Sequence, residues 1–182
     1  RSALIEVRSM AQHLELAELC QRVYGNAVVD SVENIQWLVS PTDSGTIVAF
    51  RGTDQTADWL KNLNMLSAET PFGRVHCGFL HAWRNIDNKI RELPGKVTWT
   101  GHSLGGALAT LAGIYNRSRT KEVVTFGSPR VGKSDFRRNY RRLLGDRTYR
   151  YVNRLDPIPW FPGLMAGYRH VTNSYWYNGI SI

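Results

Sequence analysis

Apolar positions along the chain fall into two rhythms. Leu14, Leu16, Leu19 and Val23 recur at helical spacing and predict a helix over residues 10–23. Residues 35–39 and 45–50 read instead as two strands, joined through the turn-forming run Ser40-Pro41-Thr42-Asp43-Ser44-Gly45 into a hairpin. Phe79, Leu80, Trp83, Ile86, Ile90 and Leu93 return every three or four residues, a second helix that Pro94-Gly95 ends. Residues 96–100 alternate and are rich in β-branched side chains, whereas 107–112 favour helix. Strands over 122–126 and 148–153 then enclose a helix whose apolar face is Phe136, Tyr140, Leu143 and Leu144.

Strands that alternate with helices pair in parallel and are covered by those helices. The expected class is therefore α/β, with a mostly parallel central sheet and helices on both faces. A chain of 182 residues suits one domain over 1–182. No repeat, low-complexity tract or long linker divides it.

Hydrophobic residues at 42% and charged residues at 21% are ordinary for a globular protein. No apolar run approaches the roughly 20 residues that cross a bilayer. The sequence opens at Arg1 with no signal sequence behind it, and reads as processed or as a fragment, a secreted setting being slightly favoured. Cys20 and Cys77 lack metal-ligand spacing. Two buried thiols are expected, a single bridge being the other arrangement. The net charge of +8 owes much to Arg137, Arg138, Arg141, Arg142, Arg147 and Arg150. These read as the wet face of an amphipathic helix with weak attraction for anionic lipid surfaces, since no nucleic-acid module accompanies them.

Candidate chemistry centres on Gly101-His102-Ser103-Leu104-Gly105, a G-x-S-x-G run lying between the strand over 96–100 and the helix over 107–112. In that context Ser103 sits on a sharp turn, its hydroxyl exposed above the sheet, and Gly101 and Gly105 let strand and helix approach. A serine hydroxyl needs an imidazole base and a carboxylate to orient it. On this fold they follow in the order serine, acid, histidine. Asp156 directly follows a strong strand and is held in Asp156-Pro157-Ile158-Pro159; only His170 among the histidines comes later. His102 is expected to pack behind the sheet. The N–H of Leu104 supplies one oxyanion donor, and Thr53, at the end of Ile47-Val48-Ala49-Phe50-Arg51-Gly52, the second.

Several ordered segments resemble the class 3 lipases, the family that includes the fungal triacylglycerol lipases and related bacterial enzymes. They are Ala49-Phe50-Arg51-Gly52-Thr53, Asp58-Trp59 with Asn62, Val75-His76-Cys77-Gly78-Phe79, the serine turn, Thr125 through Gly132, and Asn153 through Pro162. The resemblance implies an α/β-hydrolase fold, carboxylic ester hydrolysis, Ser103 as nucleophile, Asp156 as acid, and Thr53 with Leu104 as oxyanion hole. Neither metal nor organic cofactor is implied, and the partner is an ester or lipid substrate, met in part at lipid interfaces, with no nucleic acid. Residues 54–66 are short for the mobile lid that family members carry, with Trp59, Leu60, Leu63 and Met65 giving an apolar face. Trp59, Trp160 and Phe161 are candidate substrate contacts. In the fungal members the catalytic histidine comes several dozen residues after a segment similar to Gly167 through Tyr177. The base is then taken to be His170, the one histidine of the sequence after the acid, a residue beyond Ile182 being the alternative. A non-catalytic lipase-like binding module, a phospholipase and an acyltransferase are the competing functions.

Overall fold

A computed structural model describes residues 3–24, 30–32, 35–52 and 65–177. Helix α1 (Ala3–Tyr24) precedes strands β1 (Asp30–Val32), β2 (Ile35–Thr42) and β3 (Gly45–Phe50). Short strands β4 (Ser67–Ala68) and β5 (Val75–His76) lead into helix α2 (Cys77–Arg91), then β6 (Val97–His102), helix α3 (Leu104–Tyr115) and β7 (Thr120–Phe126). The chain continues through β8 (Gly132–Lys133), helix α4 (Ser134–Leu144), β9 (Thr148–Asn153), β10 (Tyr168–Arg169) and β11 (Ser174–Tyr177).

The main sheet runs β1-β2-β3-β6-β7-β9-β11. It is antiparallel through the β2–β3 hairpin and parallel from β3 to β11. A second, small sheet runs β10-β8-β5-β4. Side-chain alternation along the strands sends successive residues to opposite faces. Val48, Phe50, Val97, Trp99 and Val123 pack into one core with α2, α3 and α4. Val124 and Phe126 meet Leu16, Ala17 and Cys20 of α1 on the other face, where Ala49 meets Leu19 and Val23. Helices therefore cover both faces of an α/β-hydrolase fold.

Each α2 position in the predicted apolar stripe from Phe79 to Ile90 is buried, and the His76 ring caps the helix by accepting the Gly78 N–H at 3.1 Å. Helix α1 starts at Ala3 and not at residue 10, its added turns being made of residues with ordinary helix propensity. Both cysteines are free thiols; Cys20 is buried beside Thr100 Oγ1 at 3.4 Å, and Cys77 is half-buried.

One charged residue departs from the sequence reading. Arg150 belongs to β9, where Thr148, Arg150 and Val152 alternate inward, and it is 4% exposed. Strand periodicity, and not the helical wheel of the preceding arginines, decides its side.

Candidate active site

Strands β6, β7 and β9 are parallel neighbours, so their carboxyl ends lie side by side. Ser103 leaves β6, Gly127 leaves β7, and Asp156 lies on the turn after β9.

Ser103 has φ 56° and ψ −122° and is the one non-glycine residue at positive φ among those described. Such a conformation costs on the order of 1–3 kcal/mol and persists where neighbours over-determine it. Here they do: its N–H donates to the Phe126 carbonyl at 3.0 Å, and its carbonyl accepts the N–H groups of Gly106 at 2.9 Å and Ala107 at 3.3 Å. A Cβ on Gly101 would lie 2.3 Å from the Gly105 carbonyl, and one on Gly105 only 2.2 Å from the Phe50 carbonyl. Glycine at 101 lets the end of β6, and glycine at 105 the end of β3, close on the start of α3. Leu104 is the first residue of α3, where helix N–H groups lack internal acceptors and the helix dipole favours negative charge.

The hydroxyl is placed differently from the sequence reading. Ser103 is fully buried and its Oγ has no hydrogen-bond partner among the described residues. The motif dictates the turn, not what lies over it. Thr53 and Trp59 fall outside the described residues, as do positions 54–64 of the lid segment; Met65 and Leu66 are described and exposed.

Asp156 is fixed by its own turn. Its N–H donates to the Asn153 carbonyl at 3.1 Å, and its Oδ1 accepts the Ile158 N–H at 2.9 Å across Pro157. A Cβ on Gly127, whose φ is +56°, would sit 2.4 Å from Asp156 Oδ2 and 3.5 Å from His102 Nε2. The carboxylate thus reaches across the end of β7 towards the ring beside Ser103. Burial pushes the Asp156 carboxyl above its ordinary value, opposed by the Ile158 N–H and by His102. Burial likewise holds the His102 imidazole down while Asp156 draws it up. His102 pairs in register with Phe126, on the α1 side of the sheet as expected, yet it meets the candidate acid. Motif spacing alone gave no sign of that meeting.

Arg130 is a second residue to which the sequence assigned no role. Its N–H donates to the Phe161 carbonyl at 2.6 Å, its guanidinium to the carbonyls of Trp160 and Pro162, and it lies 5.9 Å from the Trp160 ring centroid. These contacts brace the loop that carries Asp156. Its signal was an arginine after Pro129 in the turn that follows β7. Trp160 is exposed and Phe161 half-buried, beside exposed Leu155, Leu164 and Met165.

His170 meets a different set of charges. It follows β10, hydrogen-bonds the Pro159 backbone, and faces Arg150, Arg130 and Arg137; burial, then those charges, push its pKa down to about 3. A base must be stabilised as it gains a proton, and this setting opposes the proton. The same shift has a consequence for stability. The unfolded chain protonates His170 near its ordinary 6.5 while the folded protein resists until about 3. Stability from the neutral ring is thus complete above pH 6.5 and is lost as pH falls towards 3, at up to about 1.4 kcal/mol per pH unit. In phosphate-free buffer His170→Asn is expected to flatten the fall in Tm between pH 6 and 4; an unchanged slope would contradict this.

Among the described residues no group of three or more His, Cys, Asp or Glu side chains is placed to hold a metal ion. None of the described helices is long and apolar enough to cross a membrane.

Known proteins resemble this chain in sequence and in fold. The pattern of the family "Lipase (class 3)" matches residues 47–166. The chain is 35% identical over 147 residues to a secreted mono- and diacylglycerol lipase of Fusarium solani, covering 73% of this chain and 44% of that protein. It is 31% identical over 160 residues to a chloroplastic phospholipase A(1) of Arabidopsis thaliana, covering 70% of this chain and 36% of the relative. The chain thus spans less than half the length of these relatives. Among solved structures, lipase II from Rhizopus niveus superposes with a TM-score of 0.79 at 22% identity, covering 92% of this chain and 81% of that one. With its serine turn, its glycine-permitted closure of strand on helix and an extended family match, the chain belongs to the class 3 lipase family.

Proposed function

We propose that the protein hydrolyses carboxylic esters of acylglycerols or glycerophospholipids, with Ser103 as the nucleophile. The observation that carries this reading is the strained, pinned backbone of Ser103 at the start of α3, a conformation that a serine of purely structural role does not need. The relatives that match include lipases and phospholipases A(1), whose shared substrate feature is an acyl ester of glycerol.

In this mechanism Ser103 Oγ bonds to the ester carbonyl carbon while its proton passes to an imidazole oriented by Asp156. The carbonyl electron pair moves onto oxygen, where the N–H groups of Leu104 and Thr53 receive it; one such donor is worth about 3 kcal/mol of the barrier. Collapse breaks the bond to the alcohol, which leaves with the proton from the imidazole. Water then attacks the acyl-enzyme by the same route, releasing the acid and restoring the serine. Sequence order makes His170 the candidate base, and the arginines around it oppose its protonation. Trp160 and Phe161, with the exposed Leu164 and Met165, form the apolar rim that meets the acyl chain, and Trp59 is a further candidate substrate contact.

Fatty-acid release from diacylglycerol emulsions and from phosphatidylcholine vesicles tests this reading. Ser103→Ala should reduce release to background in whichever lipid the parent protein cleaves. Release undiminished in the variant would remove Ser103 from the chemistry.

A further inference from the structure

The buried arginines behind the Asp156 loop have no role in the mechanism above. Arg130 is 5% and Arg150 4% exposed. The Nε–H groups of Arg130, Arg150 and Arg137 are all buried without a hydrogen-bond partner, although Arg130 and Arg150 spend one Nη donor on backbone carbonyls. All three face His170, and Arg169 adds its charge on Arg130. Thr125, in register with Arg150 on the same face of the sheet, has a buried Oγ1 that is likewise unpartnered. Among the described residues no carboxylate forms an ion pair with Arg130, Arg137 or Arg150.

An uncompensated buried ion costs several kcal/mol, and proteins neutralise or pair such charges. Guanidinium groups cannot shed their proton near neutrality, so neutralisation has to come from an anion. Planar Nε–H and Nη–H donors fit the oxygens of a phosphate-like ion, and the hydroxyl of Thr125 adds a further donor. Thr172, whose carbonyl accepts from Arg150 at 2.9 Å, also lines an open groove of about 450 Å³ with Arg141, Thr148 and Asn173, so the cluster adjoins solvent-reachable space.

We propose that Arg130, Arg137, Arg150 and Thr125, beside His170, form a binding site for one small tetrahedral oxyanion of the phosphate class. The site is distinct from the ester-cleaving serine and does not depend on the reaction assigned to it. Bound phosphate replaces repulsion by attraction at His170 and so draws its imidazole pKa upward.

Inorganic phosphate is the probe, compared with chloride at equal ionic strength and pH 7. Calorimetry should give saturable binding of one phosphate per chain, and Tm should rise by about 5 °C or more at a hundred-fold excess over Kd. The His170 ring should titrate at higher pH in phosphate than in chloride when followed by NMR. Arg137→Gln, at a half-buried position of α4 that leaves the core intact, should weaken phosphate binding roughly ten-fold or more. Arg150→Gln should do the same where it folds. Phosphate indistinguishable from chloride, or binding that survives Arg137→Gln unchanged with His170 insensitive to phosphate, would overturn the proposal and assign neutralisation to a carboxylate of the polypeptide.

Discussion

Asp156→Asn is expected to lower ester turnover by roughly 10³- to 10⁴-fold while leaving the fold intact, the scale on which serine hydrolases lose activity when the orienting carboxylate is made neutral. The amide keeps the size of the carboxylate but removes the charge that supports a protonated imidazole. Stability should change little. Burial already works against the ionised carboxylate, and the Ile158 N–H that Oδ1 accepts at 2.9 Å finds the amide oxygen in its place. Two readouts separate this role from a structural one. The loss should appear in kcat with KM nearly unchanged, and the His102 imidazole should titrate lower than in the parent, because Asp156 is the group that draws it upward. Turnover within ten-fold of the parent would show that Asp156 is not the acid.

The second large effect is structural. In Gly105→Ala the new Cβ would lie 2.2 Å from the Phe50 carbonyl oxygen and 3.1 Å from the Arg51 carbonyl carbon, both backbone atoms of a paired strand end. Neither can rotate aside as a side chain would, so β3 and α3 must separate at the serine turn. We expect a loss of at least about 3 kcal/mol, near the top of the range for single substitutions. In a chain of this size that lowers Tm by about 6–12 °C. Gly163→Ala is the control: φ there is −60° and nothing lies within 4 Å of the added carbon, so Tm should hold or rise slightly. Equal Tm values for the two variants would contradict the close approach at the serine turn.

Much of this architecture is legible in the residues. Hydrophobic periodicity located the β2–β3 hairpin, α2, β6, β7, α4 and β9 because each carries one apolar face, and a period of 2 or 3.6 then fixes both element type and orientation. Two-residue strands such as β8 and β10 are too short to carry a period, and they exist because the chain on either side is already held. The turn at Ser103 was readable because glycine at 101 and 105 reports a close approach that no other residue permits.

What lies over a motif is set by distant parts of the chain, so the burial of Ser103 Oγ was not readable. The setting of His170 was unreadable for the same reason. Chain order placed it after Asp156, but its chemistry is decided by Arg130 and Arg150, which arrive from β7's following turn and from β9, and by Arg137 of α4. His102 shows the converse: adjacency to the serine sent it behind the sheet, yet the loop from β9 brings Asp156 to its ring.

The proposed ester cleavage rests on an activated hydroxyl at the end of β6. Its most direct test is reaction of the folded protein with a fluorophosphonate, followed by peptide mass spectrometry. One stoichiometric adduct on Ser103, absent from denatured protein and from Asp156→Asn at matched times, is the predicted result. An adduct on another residue, or none in folded protein that cleaves esters, would contradict it.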